Sequence, residues 1–333
     1  MVDRPSEFDL IAEFFRPLAS GHAAALDLRD DAAVLAGPAA DREQAITMDA
    51  LVAGVHLFPN DSPRSIAMKV LGVNLSDLAA MGATPDAYTL AAAWPADMSR
   101  DWLEKFVEGL AWMQAQHGIH LVGGDTVSTS GPLSFTVTAF GTVARGRALR
   151  RCNAQPDDAL YVSGTIGDAA LGLRILSGDM PVELSDTARR HLSRRYHEPE
   201  PRTTLGPALI GLANSAIDIS DGLHADAGHL AVESGQRISV DVSDLPLSEA
   251  AREAVQAAPE LIATVCSGGD DYELAFSVPG ENATQIDALS ASCGVRLSRI
   301  GKVTTPNGEG PGVDVIDRDG SPLDLPYAGF QHF

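Results

Sequence analysis

Residues Ile217–Gly222 read IDISDG. The pattern predicts a strand over SAIDIS (215–220) and a helix over 223–234, so Asp218 and Asp221 stand where a strand hands over to a helix. An unpaired carboxylate in an apolar setting is costly, so two of them at the end of a buried-looking strand need a reason. Side chains alternate along a strand, which puts 218 and 220 on one face and 221 on the other. For Asp218 and Asp221 to face one cleft, the strand must end by Ser220 and the chain must turn at Asp221-Gly222. Ligands bind at such strand ends in open α/β sheets.

Working outward, the same mixture of strands and helices recurs. Residues 7–18 place Leu10, Ile11, Phe14, Phe15 and Leu18 on one helical face. Ser62-Pro63 is a helix start, an N-cap followed by Pro at the first helical position. That helix carries Ile66, Val70, Val73, Leu78 and Met81 inward and stops near Gly82. Strands are expected at QAITMDALV, AYTLAAAW, IHLV, LSFTVTAFGTVA, ALYVSG, RISVDV, YELAFSV and GVRLSRIGKV, and helices at 99–117, IGDAALGLRIL and 203–213; 282–293 reads as mixed. Basic and polar residues cluster at 145–158, read as the link between domain 1–148 and domain 149–333. The fold class is α/β and α+β in two domains.

The chain has 333 residues, 45% of them hydrophobic, with 45 acidic against 24 basic residues and a net charge of −21. That balance argues against a nucleic-acid partner. Cys152, Cys266 and Cys293 lack metal-ligand spacing and are expected as buried free thiols in a reducing cytosol. The N-terminal residues do not read as a signal peptide, and no run reaches the roughly 18 apolar residues of a membrane span. A soluble cytoplasmic protein is expected. Trp94, Trp102 and Trp112 are read as core or interface residues.

Acidic residues stand at strand ends or beside glycines in five segments: Asp30-Asp31 in RDDAAVL, Asp49 in ITMDA, Asp125 in LVGGDT, Asp218 and Asp221 in IDISDG, and Asp270-Asp271 in SGGDDYEL. Asp77, in VNLSDLAAMG, lies on a helix and shares a face with Asn74. Any one of them reads equally well as an N-cap or Asx-turn. Glycine pairs at 123–124 and 268–269 let backbone approach a ligand or turn sharply. Many carboxylates in one cleft repel one another, and Mg²⁺, which bridges carboxylates to substrate phosphates, relieves this. The pattern points to a multi-metal site for an anionic phosphorylated substrate. Walker and protein-kinase motifs are absent.

The segments DDAAVL, VNLSDLAAMGATP, LVGGDTV, SGTIGDAALGL, AIDISDGL and SGGDDYEL together resemble the thiamine-monophosphate kinases, within the PurM-like, aminoimidazole-ribonucleotide-synthetase superfamily. Each segment alone is weak; six in register are specific. The resemblance implies an N-terminal α/β domain with dimerising strands plus a C-terminal α+β domain, and a homodimer. It implies phosphorylation of thiamine monophosphate by ATP to thiamine diphosphate, the last step of that cofactor's biosynthesis, with several Mg²⁺ ions. By the same resemblance Asp31, Thr47, the Met48 backbone, Asp49, Asp77, Asp125, Asp218 and Asp221 match metal ligands. Gly124, Asp125, Arg151 and Ser220 match ATP contacts, as does His117, which stands where a Tyr often precedes the GGDT strand. His56, Asp270 and Phe330 match contacts to thiamine phosphate.

Three residues depart from the family pattern: Arg29 in place of Gly, Asp270 in place of Glu, and His117 in place of Tyr. The final GFQHF has no cysteine of the hydrogenase-maturation type, so the kinase is expected within the superfamily. The attacking phosphate oxygen is already ionised, so direct in-line transfer is expected, with neither a general base nor a phosphoenzyme. Two alternatives stay open at this point. An ATP-dependent synthetase is disfavoured by the pocket of His56, Asp270 and Phe330. A non-catalytic ATP-binding regulator is disfavoured by the complete set of aspartates.

Overall fold

The computed structural model describes residues 6–306, 308, 310–317, 319–323 and 325. The chain divides into two units, residues 1–78 with 83–146, and residues 79–82 with 147–333. No helix among the described residues is long and apolar enough to cross a membrane.

The first unit runs β1 (Arg42–Val52), α1 (Pro63–Ala80, its last two residues belonging to the second unit), β2 (Thr84–Pro95), α2 (Arg100–His117), β3 (His120–Thr129) and β4 (Ser134–Ala144). Its sheet has the order β1-β4-β2-β3, so β1 and β3 are the two edges. β2 and β3 pair in parallel, as a strand–helix–strand crossover requires, and the other pairs are antiparallel. Local chemistry sets the helix ends. Ser62 Oγ accepts from Ser65 N at 3.1 Å before Pro63, Ser99 Oγ accepts from Trp102 N at 3.2 Å, and α2 stops at Gly118 with φ of 65°. Trp94 is wholly enclosed, edge-on to Phe106 and Phe135, which stack with centroids 4.8 Å apart.

The second unit runs β5 (Ala159–Ser163), α3 (Asp168–Ser177), α4 (Asp186–His197), β6 (Ser215–Asp218), α5 (Leu223–Ser234), β7 (Arg237–Asp241), α6 (Glu249–Ala257), α7 (Leu261–Ser267), β8 (Leu274–Val278), α8 (Ala283–Cys293), β9 (Leu297–Thr304) and β10 (Gly312–Ile316). The six-stranded sheet is ordered β10-β7-β9-β5-β8-β6. One core cluster joins Val162, Ile217 and Ile300 of the sheet to Leu171, Leu230 and Val265 of the helices.

Several expectations are corrected. The helix expected over 203–213 is a single turn, Leu205–Ala208, because Gly206 and Pro207 are followed by Gly211 at φ of 87°. Met81 is 39% exposed, since α1 ends at Ala80 and Met81 has left its buried face. Only Cys266 is buried: Cys152 lies in a short 3-10 turn and Cys293 ends α8, both partly exposed. Of the core-or-interface reading of Trp112, the core is excluded: the ring is 40% exposed beneath the Arg64 guanidinium.

Candidate active site

Along β1, Gln44, Ile46, Met48 and Ala50 are exposed, while Thr47 and Asp49 occupy the other, half-buried face. Met48 can therefore contribute to the Thr47–Asp49 face only through its backbone. α1 meets this face with Asp77, the single residue between Ile66 and Ala80 that is not buried. Thr47 Oγ1 donates to Asp77 Oδ2 in a short hydrogen bond. Burial, then the charge and hydrogen bond of Asp77, push the Asp49 carboxyl up to about 6. Two carboxylates held this close store repulsion that a cation would relieve. His56 follows in the turn after β1, where its Nδ1 accepts from Val52 N at 3.1 Å, leaving Nε2 to carry the proton.

Asp31, Gly124 and Asp125 lie at the opposite edge. They line a cavity of about 550 Å³ together with Asp30, Gly123 and Thr126, above an apolar floor that includes Phe15, Leu121, Val122 and Phe140. Asp125 is exposed, and its Oδ1 accepts from Thr126 N at 2.8 Å. Gly124 has a reason within the sheet itself: a Cβ there would fall 2.0 Å from the Leu90 carbonyl oxygen. Thr47, Asp49, Asp77 and His117 do not line this cavity. His117 ends α2, half-buried, and burial lowers its imidazole to about 4, so it is neutral at pH 7.

The strand order separates these two groups. Register runs Asp49–Val137–Leu90–Gly124 across the sheet, with Asp125 opposite Ala91 one residue on. Three inter-strand steps set β1 and β3 roughly 14 Å apart. An aspartate reaches about 3 Å from its Cα, and one Mg²⁺ spans only about 4 Å between two ligand oxygens. Asp49 and Asp125 of one chain therefore cannot share an ion. No group of three or more His, Cys, Asp or Glu side chains is gathered for a metal among the described residues.

In the second unit, β6 ends at Asp218, and the chain bends at Ser220-Asp221 before Gly222 at φ of 120° opens α5. The strand thus ends two residues before Ser220 and the turn falls where the aspartate geometry needs it. Asp218 is 4% exposed. The adjacent loop after α7 runs alongside: Asp270 N donates to Ser220 O and Tyr272 N to Ile219 O, each at 2.8 Å. Gly269 is required there, since a Cβ would sit 2.1 Å from Ser220 O. Asp270 and Tyr272 both have positive φ, 70° and 51°, and the Tyr272 hydroxyl donates to Asp270 Oδ1 at 3.0 Å. Strained backbone of this kind persists only where its surroundings over-determine it. Here the surroundings are buried carboxyl groups with fixed partners: Glu273 accepts from Ser163 Oγ at 2.5 Å, Arg195 at 3.1 Å and Arg202 Nε at 2.6 Å, while Asp271 accepts from Gly167 N at 2.6 Å and Ala169 N at 3.2 Å. Arg151 is exposed at the head of a 3-10 turn whose carbonyl accepts from Ser234 Oγ. Phe330 lies outside the described residues.

Residues 29–143 match the family model described as AIR synthase related protein, N-terminal domain. The thiamine-monophosphate kinase of Caulobacter vibrioides is 44% identical over 325 residues, 96% of this chain and 90% of that one. The kinase of Escherichia coli is 43% identical over 98% of each. The chain belongs to the thiamine-monophosphate kinase family. The crystal structure of the kinase from Stenotrophomonas maltophilia superposes with a TM-score of 0.84 at 40% identity, covering 96% of this chain and 98% of that one. AaThiL complexed with AMPPCP and TMP gives 0.76 at 29% identity over 88% of each. Hydrogenase maturation protein HypE in complex with ATP shares the PurM-like fold, with a TM-score of 0.75 at 21% identity over 97% of each.

The sequence of the kinase hides the groups that hold these loops. Asp226, 3% exposed in the first turn of α5, accepts from the backbone N–H of Ser220, Asp221 and Gly222. Burial, then the charge of Asp221, raise its carboxyl to about 7 against those three bonds. Its only sequence signal is a carboxylate four residues after Gly222 on an otherwise apolar helix face. Glu273, Arg195 and Arg202 carry no local signal, because their pairing joins segments 71 and 78 residues apart.

Proposed function

We propose that the enzyme transfers the γ-phosphoryl group of ATP to the phosphate of thiamine monophosphate, giving ADP and thiamine diphosphate. The observation that carries this reading is the AMPPCP and TMP complex of a relative aligned over 88% of the chain, joined to oxygen-donor clusters of the kind that serve phosphoryl transfer. A terminal phosphate oxygen of thiamine monophosphate attacks the γ-phosphorus in line, the bond to the β–γ bridging oxygen breaks, and ADP leaves with that electron pair. The attacking oxygen is already ionised, so no side chain has to remove a proton.

The residues present fit Mg²⁺. Thr47, Asp49 and Asp77 are hard oxygen donors, and the Asp49 carboxyl is raised first by burial and then by the neighbouring charge of Asp77, which a divalent cation would offset. We assign Asp31, Thr47, the Met48 carbonyl, Asp49, Asp77, Asp125, Asp218 and Asp221 as ligands for several Mg²⁺ ions, which would neutralise the phosphates of both substrates. Gly124, Asp125, Arg151, Ser220 and His117 are assigned to ATP; His56, Asp270 and Phe330 to the thiamine phosphate. Neutral His117 offers an uncharged imidazole face to adenine, and Arg151 a guanidinium to phosphate oxygens. Residues 1–148 then serve ATP, metal and dimerisation, and 149–333 supply the remaining nucleotide and substrate contacts.

A homodimer is part of this reading. β1 and β3 are open edges, and Ile46, Met48 and Val127 on them are 60%, 65% and 48% exposed. A closed two-fold dimer that sets β1 of one protomer beside β3 of its partner covers those edges and brings Asp49 of one copy to Asp125 of the other, twice. The three cysteines are free, in keeping with a reducing compartment, and we place the enzyme in the cytoplasm. Chromatography of a reaction with ATP, Mg²⁺ and thiamine monophosphate tests the reading: it expects thiamine diphosphate and ADP in equal amounts, and unchanged thiamine monophosphate would refute it.

A further inference from the structure

We propose that Asp226 is a positioning residue of the reaction, acting through the Ser220–Gly222 turn and touching neither substrate. Its Oδ2 accepts from Ser220 N at 3.0 Å, Asp221 N at 3.0 Å and Gly222 N at 3.1 Å. One buried oxygen thus gathers three consecutive backbone donors, and the Asp226 backbone is tied to the same turn because Asp226 N donates back to Gly222 O at 3.0 Å. Gathering three successive N–H groups onto one point dictates the local φ and ψ, and with them the directions of the Ser220 and Asp221 side chains. The far side of the turn is closed by backbone: a Cβ on Gly222 would lie 2.6 Å from Ser267 O, and Asp270 N is bonded to Ser220 O. The turn therefore has a wall on one side and Asp226 on the other. Removing the wall would change the loop that carries Asp270, whereas removing Asp226 frees the Ser220–Asp221 side alone.

This inference rests on the assignment of Ser220 and Asp221 to nucleotide phosphate and metal. It predicts that the loss falls on the nucleotide side. In Asp226→Ala the three N–H groups lose their acceptor, and affinity for AMPPCP with Mg²⁺, measured by titration calorimetry, should fall about tenfold or more, the scale of backbone donors left without their acceptor. The KM for ATP should rise more than the KM for thiamine monophosphate. Asp226→Asn keeps an acceptor oxygen in place and should restore affinity to within about threefold of wild type. Equal impairment of the Ala and Asn variants would overturn the proposal, because it would make the charge of Asp226, not its acceptor geometry, the active feature. So would an Ala variant that binds like wild type. Should Asp226→Ala lose its cooperative thermal transition, Asp226→Glu decides: it keeps the charge but moves the oxygen by one methylene, so a wild-type affinity there contradicts a positional role and a fall of about fivefold supports it. Wild-type activity with thiamine monophosphate is run alongside. A wild type that makes no ADP refutes the functional reading and leaves the calorimetric comparison to judge Asp226 by itself.

Discussion

The separation of Asp49 from Asp125 makes a quantitative prediction about subunits. With β1 and β3 at opposite edges of the sheet, roughly 14 Å apart by strand spacing, a metal ligated by both must draw Asp49 from one protomer and Asp125 from its partner. Take Asp49→Asn and Asp125→Asn as single variants. In the proposed two-fold dimer each variant has two damaged sites and should retain less than about 1% of wild-type kcat. In the heterodimer, one site carries both substitutions and the other carries neither. A heterodimer isolated through two different affinity tags should then show about half of wild-type activity per dimer, and a fully exchanged equal mixture about one quarter. The assay is ADP release under saturating ATP, Mg²⁺ and thiamine monophosphate, with the mixture compared with the sum of the two variants alone. If both aspartates served a site within one chain, every site in the heterodimer would lack one of them and mixing would restore nothing. A mixture no more active than that sum refutes the reasoning.

Three further outcomes are expected. Asp77→Asn should lower kcat by about 100-fold or more while the thermal midpoint stays within a few degrees, since it keeps the shape and the acceptor for Thr47 but removes one of two paired charges; a near-wild-type kcat would refute the proposed role of Asp77 as a metal ligand. Gly269→Ala forces a Cβ to within 2.1 Å of Ser220 O and should cost about 1–3 kcal/mol in denaturant unfolding, with activity falling too; an unchanged midpoint and slope would contradict the stitched-loop geometry. Asp271, fully enclosed, has its carboxyl raised to about 8, first by burial. The folded protein therefore keeps a proton that the unfolded chain sheds near pH 4, so this group's stabilisation is complete below about pH 4 and is lost as pH rises towards 8, at up to about 1.4 kcal/mol per pH unit. Wild-type stability should fall more steeply across that window than that of Asp271→Asn, and parallel profiles in chemical unfolding would contradict the burial argument.

What could be read from the sequence divides along physical lines. α5 begins and ends where its apolar spacing and Gly222 and Gly235 place it, and α1 begins at its Ser-Pro signal. Such signals are local, and local chemistry decides them. α4, DTARRHLSRRYH, escaped because only Ala188, Leu192, Arg195 and Tyr196 of it are buried, and one of these is an arginine paired with Glu273. The aspartates of the candidate site stood out as a recurring pattern of carboxylates beside glycines or at expected strand ends; Asp218 does end β6, but Asp49 and Asp125 lie inside β1 and β3, which run on past the expected ends. Their division between two sheet edges was invisible, because strand order is a non-local property: Thr47 and Asp49 look equivalent to Asp125 until β4 and β2 are known to lie between them. The groups that hold the site, Asp226, Glu273, Arg195 and Arg202, were hidden for the same reason, each acting across a turn or between segments far apart in sequence.

The central claim is the acceptor. Wild-type enzyme with ATP and Mg²⁺ is assayed for ADP release in parallel with thiamine monophosphate, with thiamine and with no acceptor. Release that requires thiamine monophosphate, with the other two at background, is the predicted result. Release with thiamine as fast as with its phosphate, or release that is independent of any acceptor, would contradict it.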